Sequence, residues 1–536
     1  MECNVTKQAV SVNDIVYDGA VEQSLECDIV LPDYCPDIVK ILKCELSCAV
    51  TSAQPEGPVL QLEGLAVAKV LYLSDDNPSG AMELHSADCR IPYSRSCDWK
   101  GKQPVERALV QACVRTDTVS CRAVSKRRLE VRGAVTHRIK AVSCAEQEVV
   151  TDAQGAGVQL RRSTLERTAC VCQQRGELEV QETLELSSGK PPVRSIVLSR
   201  CTAVVTDSRV LAGRVMTKGE LRLQLLYYGV GEDNGDAQCG PGPLETMEYT
   251  LPISQIIDLP GADDQSLCSL CSRVTQWDLQ PRADGEGQMT LLDLTATVHT
   301  AAEAYTPQTV LLAQDCYGTC CECSCEAQTL GLLDLMRVVQ DTEMVRETVD
   351  LPDEVRTILA GWASVLDQEV RRDGDALLVE YRLDLCLLAA DAEGNIQFYS
   401  DARPQSFRLP LGRSANTGTQ EEQPFLLPSL TPLSLSYSVK GPSAEIRCEV
   451  QVCGSLCRML SRSAITQVSC DPGRPCPRDS DCALTIYYAD RGETLWDIAK
   501  RYRSSLEAVL EENYSAEEPA PESGELPARR MLIIPR

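Results

Sequence analysis

Apolar and polar residues alternate with a period of two along much of this chain. In Gly219-Glu220-Leu221-Arg222-Leu223-Gln224-Leu225-Leu226-Tyr227, Leu221 and Leu223 fall on one side while Arg222 and Gln224 fall on the other. That pattern predicts a half-buried antiparallel strand with one dry and one wet face. Two further runs read the same way, Gly64 to Tyr72 and Tyr381 to Ala389, the latter with Leu383 and Leu385 inward and Arg382 and Asp384 outward. Each run is preceded by a short apolar-x-x-Ile signature beside proline: Ile38 to Leu42, Val193 to Val197 and Val355 to Leu359. The offset from signature to run is 26 residues in every copy (64−38, 219−193, 381−355), so the chain carries three related units spaced 155 and 162 residues apart.

Turn chemistry supports the same reading. Arg372-Asp373-Gly374-Asp375 separates strand-like Ser364–Val370 from Leu377–Leu387, and Asp-Gly accepts the positive φ of a tight hairpin. Ala283 to Gly287 does the same ahead of Met289–Thr300. Second strand groups are expected at Val124–Val142, Met289–Val298 and Ala444–Cys453. The chain is therefore expected to be mostly β: three antiparallel β-sandwich-like repeat domains over 10–150, 170–315 and 329–470, each with some short helix near its signature. Compositional joints are expected at Thr151–Gly157, at a cysteine-rich linker over 316–328, and at a proline- and cysteine-rich tether over 471–483.

The remaining segment, 484–536, changes period. A short β run at Leu484–Tyr488 and a turn at Ala489–Glu493 lead to Thr494, suited to cap a helix N-terminus. Leu495, Ile498, Ala499 and Tyr502 then make one helical apolar stripe, and Leu506, Val509 and Leu510 make a second. Met531-Leu532-Ile533-Ile534 closes with a strand, for an order βααβ.

Gly492-Glu493-Thr494-Leu495-Trp496-x-Ile498-Ala499-x-x-Tyr502, then Asn513, then Leu532-Ile533-Ile534-Pro535, resembles the LysM family along the whole segment. The resemblance implies a βααβ fold with a shallow groove between two loops that commonly binds N-acetylglucosamine polymers such as peptidoglycan. It places Asp490, Gly492, Glu493 and Thr494 on the first loop of that groove, and Asn513 and Tyr514 on the second. Helix capping, core packing and turn formation are the structural alternatives for Thr494, Trp496 and Asn513. The second loop departs from the family: Ser515 to Arg530 is long and acidic, with Glu517, Glu518, Glu522 and Glu525, and Arg529-Arg530 stands where a glycine is expected. Such a loop suits a protein surface better than a glycan.

Upstream, Asp28-Ile29-Val30-Leu31-Pro32-Asp33-Tyr34-Cys35-Pro36-Asp37-Ile38 resembles the signature of the SPOCS domain of endospore-forming bacteria. Val349 to Asp353 echoes it weakly, and the second unit keeps only Pro191-Pro192. SPOCS repeats followed by LysM resemble the SipL-like family of spore coat morphogenetic proteins. That resemblance implies a non-enzymatic adaptor of the mother-cell cytoplasm, placed at the forespore surface, whose LysM module docks on a SpoIVA-like coat ATPase among other spore coat proteins. Peptidoglycan binding through LysM is the alternative.

Composition sharpens the exclusions. A net charge of −26 repels nucleic-acid phosphates and anionic lipid, and aromatics at 4% leave little for base stacking. Neither nucleic acid nor membrane insertion is expected. Met1–Lys7 carries no apolar run, so export is not expected either. His85, His137 and His299 lie far apart, with the latter two read as surface or satisfied strand residues; no catalytic motif or cofactor fingerprint is present. Most of the 28 cysteines read as reduced, buried small hydrophobes. Cys316, Cys320, Cys321, Cys323 and Cys325 are the candidate metal ligands, but they lack paired Cys-x-x-Cys spacing, so exposed linker thiols are expected there instead.

Overall fold

The computed structural model describes residues 4–75, 82–99, 105–155, 157–231, 242–352, 355–411, 423–476, 484–515, 519–521 and 524–535. The described part is mostly β, with antiparallel sheets throughout.

The first unit holds β1 (Asn4–Val12), β2 (Ile15–Val30), β3 (Lys40–Glu56), β4 (Val59–Ser74), β5 (Glu83–Asp98), β6 (Ala108–Ser125), β7 (Arg128–Ser143) and β8 (Ala145–Gln154). The second holds β9 (Val158–Glu185), β10 (Val193–Leu211), β11 (Arg214–Gly229), β12 (Leu244–Asp258), β13 (Leu267–Arg282) and β14 (Leu291–Gly318). The third holds β15 (Cys321–Asp350), β16 (Val355–Asp373), β17 (Ala376–Asp391), β18 (Ile396–Pro410), β19 (Ser429–Lys440) and β20 (Ser443–Pro475). A tail follows with β21 (Leu484–Ala489), α1 (Leu495–Tyr502), α2 (Leu506–Asn513) and β22 (Arg530–Pro535).

Every unit repeats one topology. A three-strand meander forms one sheet (β3-β4-β5, β10-β11-β12, β16-β17-β18). A first strand paired with the second strand of a later hairpin forms the other (β2-β7-β6, β9-β14-β13, β15-β20-β19). In each unit the two sheets share one apolar core, exemplified by Val180, Leu223, Leu225 and Leu294 in the second. Tyr227 explains the recurrent prolines: its hydroxyl donates to the Pro191 carbonyl at 3.1 Å, and Tyr72 repeats the bond to Pro36 at 3.5 Å.

The signatures are extended, not helical. Val193 and Ile196 lie in β10, and Val355 and Ile358 in β16, beside bulges at Val193/Ser195, Ile196/Leu198, Val355/Thr357 and Ile358/Ala360. A bulge inserts one residue and resets which face the next side chain meets, so residues three apart share a face without a helix.

The expected linkers are structured. Residues 316–318 end β14 and 321–350 form β15, so the cysteine-rich segment is a tight strand connection rather than a flexible joint. Alternation in Cys321-Glu322-Cys323-Ser324-Cys325 is strand periodicity. Likewise β20 runs to Pro475, and the Cys476 amide donates to Cys320 O at 2.9 Å; residues 477–483 lie outside the described residues. Thr151–Gln154 forms the end of β8, and the Val158 amide at the start of β9 donates to Gly155 O at 3.1 Å. Strands β9/β14 and β15/β20 pair as ribbons of about the same length, and in the first unit the equivalent ribbon is broken into β1/β8 and β2/β7. At that break Asn13 docks on the third unit: its amide donates to Gly331 O at 2.8 Å and its side-chain carbonyl accepts from Leu333 N at 2.9 Å. The ribbons pack together through Val10, Val149, Val310, Leu312, Leu330 and Leu332.

The meander sheets meet around a common axis. Leu71, Leu226 and Leu388, each seven residues beyond the start of its alternating run, are buried in one cluster with Leu84, Tyr228 and Trp362. Glu45, Arg200 and Trp362, each seven beyond its signature, meet there too. Arg200 pairs with Glu45 and lies over the Trp362 ring at 4.8 Å, while Trp362 Nε1 donates to Glu45 Oε1 at 2.6 Å. Lys69 Nζ donates to Ser199 O at 3.0 Å, and Gln224 at the equivalent place in the second unit donates to Gly361 O at 3.2 Å. The third unit closes the ring on the first through Lys43–Asp384 at 3.1 Å.

A disulfide, Cys27–Cys89, joins the two sheets of the first unit; the other described cysteines are free. Burial pushes the thiols of Cys201 and Cys448 up to about 12 and that of Cys48 up to about 11, which keeps them protonated and unreactive. His137 is not at the surface: it is fully buried against Tyr93, with ring centroids 5.2 Å apart.

Neighbouring leucines give a direct test of the axis. Leu225 faces its own unit's core and Leu226 faces the axial cluster. Alanine at either is expected to cost about 2–5 kcal/mol in urea unfolding, but only Leu226→Ala should speed proteolysis at the joint near Gly155. An unchanged urea midpoint and cleavage pattern for Leu226→Ala would remove the axis as a stabilising contact. His137 gives a pH test. Burial, with Arg95 adding to it, holds its pKa below the ordinary 6.5. The unfolded chain therefore binds the extra proton first, so stability is present above about pH 6.5 and declines as pH falls below it. His137→Phe should flatten that slope in pH-dependent urea titrations.

Candidate functional site

The tail is built as its periodicity requires. Strands β21 and β22 pair antiparallel from Leu484↔Pro535 to Ala489↔Arg530. Thr494 caps α1 by accepting from the Asp497 amide at 3.1 Å, and Asp497 in the first turn and Lys500 and Arg501 in the last complement the helix dipole. Arg503 adopts φ 55°, ending α1 in the left-handed region. Leu495, Trp496, Ile498, Ala499, Val509, Leu532 and Ile534 form the core.

The two candidate loops are bonded to each other. The Gly492 amide donates to Leu526 O, Leu526 N to Glu493 O, and Leu495 N to Gly524 O, each at 2.9 Å. Asp490 pairs with Arg529 at 2.6 Å. Gly492 sits at φ 90°, and a Cβ there would stand 3.6 Å from a Glu525 carboxylate oxygen. Glu493 is tied down by the Asp490 amide at 2.9 Å and the Tyr487 hydroxyl at 2.8 Å, and these bonds, the amide foremost, hold its carboxyl below the usual range. Asp490, Gly492, Glu493 and Thr494 are thus brought together against 524–526. Asn513 and Tyr514 serve the far side: the Asn513 carboxamide accepts from Ile533 N at 2.7 Å and donates to Ile533 O and Val509 O, while Arg530 covers the Tyr514 ring at 4.4 Å. Glu517, Glu518 and Glu522 lie outside the described residues.

Two features of the tail were not legible from its motif. The first is how it sits on the body. Trp496 Nε1 donates to Asp315 Oδ2 at 2.8 Å, and Lys500 Nζ reaches both Asp315 oxygens at 2.7 Å. Burial pushes the Asp315 carboxyl up, but Lys500 and Trp496 outweigh it and hold the carboxyl below its ordinary value. Tyr317 stacks edge-on against Trp496, with ring centroids 5.0 Å apart, and donates to Ser504 O at 2.7 Å. The second is an outward apolar face. Leu484, Ile486 and Tyr488 on β21, and Met531 opposite Tyr488 on β22, are 51%, 55%, 75% and 50% exposed. Only strand period and pairing together reveal which side of this two-stranded sheet is uncovered.

The candidate thiols pair with one another and with Cys470 at the meeting of β14, β15 and β20. Cys316 and Cys321 are buried and Cys320 is exposed at the turn. Cys323 Sγ lies 2.7 Å from Cys470 Sγ across β15/β20, and Cys316 hydrogen-bonds Cys325 between the second and third units. Among the described residues, no group of three or more His, Cys, Asp or Glu is placed to hold a metal ion. No helix of the described residues is long and apolar enough to cross a membrane.

Residues 192–280 match the family described as SipL, SPOCS domain. The match covers β10 to β12 and most of β13, so it falls on the unit that kept only the proline pair of the signature. No curated protein and no solved structure matches the chain.

Removing the Asp315 carboxylate tests the docking of the tail. Asp315→Ala should leave the unfolding of the body unchanged, red-shift the Trp496 emission and speed proteolytic release of the tail severalfold. A tail as protease-resistant as in the parent protein would show that other contacts hold it.

Proposed function

We propose that this chain is a non-enzymatic adaptor of endospore coat assembly. Its three units, read as SPOCS-type β-sandwiches, form a rigid body that presents the C-terminal module, read as LysM, to a protein partner. The partner is a SpoIVA-like coat ATPase, met at the forespore surface in the mother-cell cytoplasm, and other coat proteins attach to the body. The observation that carries this reading is the uncovered apolar face of Leu484, Ile486, Tyr488 and Met531 on a module whose opposite side is docked. Apolar side chains clustered on one exposed face mark protein contacts. The match of 192–280 to the SPOCS domain supplies the sporulation setting.

Peptidoglycan binding is the second reading, favoured by Asp490, Gly492, Glu493 and Thr494 gathered on one loop. Against it, three backbone bonds and the Asp490–Arg529 pair close the space between the loops, and Asn513 spends its carboxamide on β22. A glycan has few free donors or acceptors to meet there.

Full-length chain should be retained on an immobilised SpoIVA-like coat ATPase and not on insoluble peptidoglycan. Ile486→Asp, whose side chain faces outward and leaves the module's core intact, should weaken that retention at least tenfold. Retention on peptidoglycan alone, unaffected by Ile486→Asp, would overturn the adaptor reading.

A further inference from the structure

Where the three meander sheets approach each other they leave a chamber of about 390 Å³. It is lined from all three units, including Lys69 and Cys48 of the first, Ser199, Arg200, Arg273 and Trp277 of the second, and Trp362 of the third. In a chain of net charge −26, this wall carries five cationic side chains (Lys69, Arg115, Arg200, Arg222, Arg273) against three carboxylates (Glu45, Glu248, Asp367).

Most of these charges have partners. Arg200 pairs with Glu45, Arg115 with Asp117, Arg222 with Glu220 and Glu449, and Asp367 with Arg382; Glu248 is exposed. Lys69 and Arg273 are different: among the described residues, neither has a carboxylate within ion-pair distance. Lys69 Nζ donates to Ser199 O and lies 5.2 Å from the centre of the Trp277 ring, and Arg273 donates to Cys48 O at 3.0 Å. The carboxylates of Glu45 and Asp88, on the strands flanking Lys69, are its cross-strand neighbours, but Glu45 is already engaged by Arg200 and Trp362. Burial, and Arg200 next, pull the Lys69 pKa down to about 8. A desolvated cation without a counterion is costly, and an anion from outside offsets that cost.

We propose that the axial chamber binds a small, multiply charged oxyanion, phosphorylated or polycarboxylate, with Lys69 and Arg273 as its principal cationic contacts. Trp277 and Trp362 wall the site, and their ring nitrogens are already committed to Ser199 Oγ and Glu45. The chamber is too small for a macromolecule, and its wall comes from three units, so an occupant would tie them together. The site is independent of the tail and of any partner it grips.

The repeats themselves supply the variant. Gln224 occupies the place of Lys69 in the second unit and makes the same bond to the next unit's backbone. Lys69→Gln therefore removes the charge and keeps the inter-unit hydrogen bond. Isothermal titration of the full chain at pH 7 with pyrophosphate, and separately with citrate, should show saturable binding at one site. The two arms separate phosphate from carboxylate chemistry. Lys69→Gln should weaken binding of the preferred anion at least tenfold without lowering the melting temperature of the unliganded protein. Lys7→Gln, a surface cation, should change nothing. Affinity should also fall as pH rises through 8, because the empty site loses the Lys69 proton there. No saturable heat with either probe, or equal affinity in parent and Lys69→Gln, would overturn the proposal. So would thermal stabilisation matched by sodium chloride at equal ionic strength.

Discussion

Each meander sheet is buried on both faces at one end of its central strand, and the rest of the architecture depends on that constraint. One face closes its own unit's core; near the end of the central strand the other face turns toward the axis. A sheet with one wet face alternates, whereas one covered on both sides runs continuously apolar. Both regimes occur in a single strand. Strand β11 alternates from Val215 to Leu223 and then becomes continuous over Leu225–Tyr228, and β4 does the same into Val70–Leu73. The change of pattern marks where a lone domain becomes part of a trimer-like body. It also explains why Glu45, Arg200 and Trp362 interact: they sit where strands of the three units converge, partly withdrawn from solvent.

Much of this was legible from local pattern. The segments offset by 26 residues fall on the paired strands β3/β4, β10/β11 and β16/β17, and Asp-Gly chemistry located the β16–β17 turn, where Gly374 has φ 60°. The tail's βααβ order followed from a change of period, and Thr494 and Trp496 occupy the cap and core positions that their sequence neighbours demand. What failed did so for identifiable reasons. Bulges in β10 and β16 imitated helical spacing. The residue types of Cys316–Cys325 suggest a linker, whereas their alternation spells a strand. The bonded loops around Gly492 and the salt bridge to Asp315 join residues far apart in sequence, and no window of local pattern contains both partners.

The proposed adaptor role rests on how the tail is used up. Its α1 face is spent on Asp315 and Tyr317, its loops on each other, and Asn513 on the last strand. Among the described residues of the tail, the outer side of the two-stranded sheet stays uncovered, with Tyr488 75% exposed, and it is the face that the proposal assigns to a partner. A module held rigidly by a desolvated tryptophan and a lysine pair pays less ordering entropy on association than one swinging on a tether.

Divergence among the repeats is itself a physical requirement. Three identical units around an axis would place three like side chains at its centre, and three glutamates or three arginines there would repel each other. One acid, one base and one aromatic ring, as in Glu45, Arg200 and Trp362, satisfy each other instead. The same logic applies at Lys69, Gln224 and Cys386, where one cation, one amide and one thiol occupy equivalent places. Leucine, which carries no charge, can stay the same in all three units, as Leu71, Leu226 and Leu388 do.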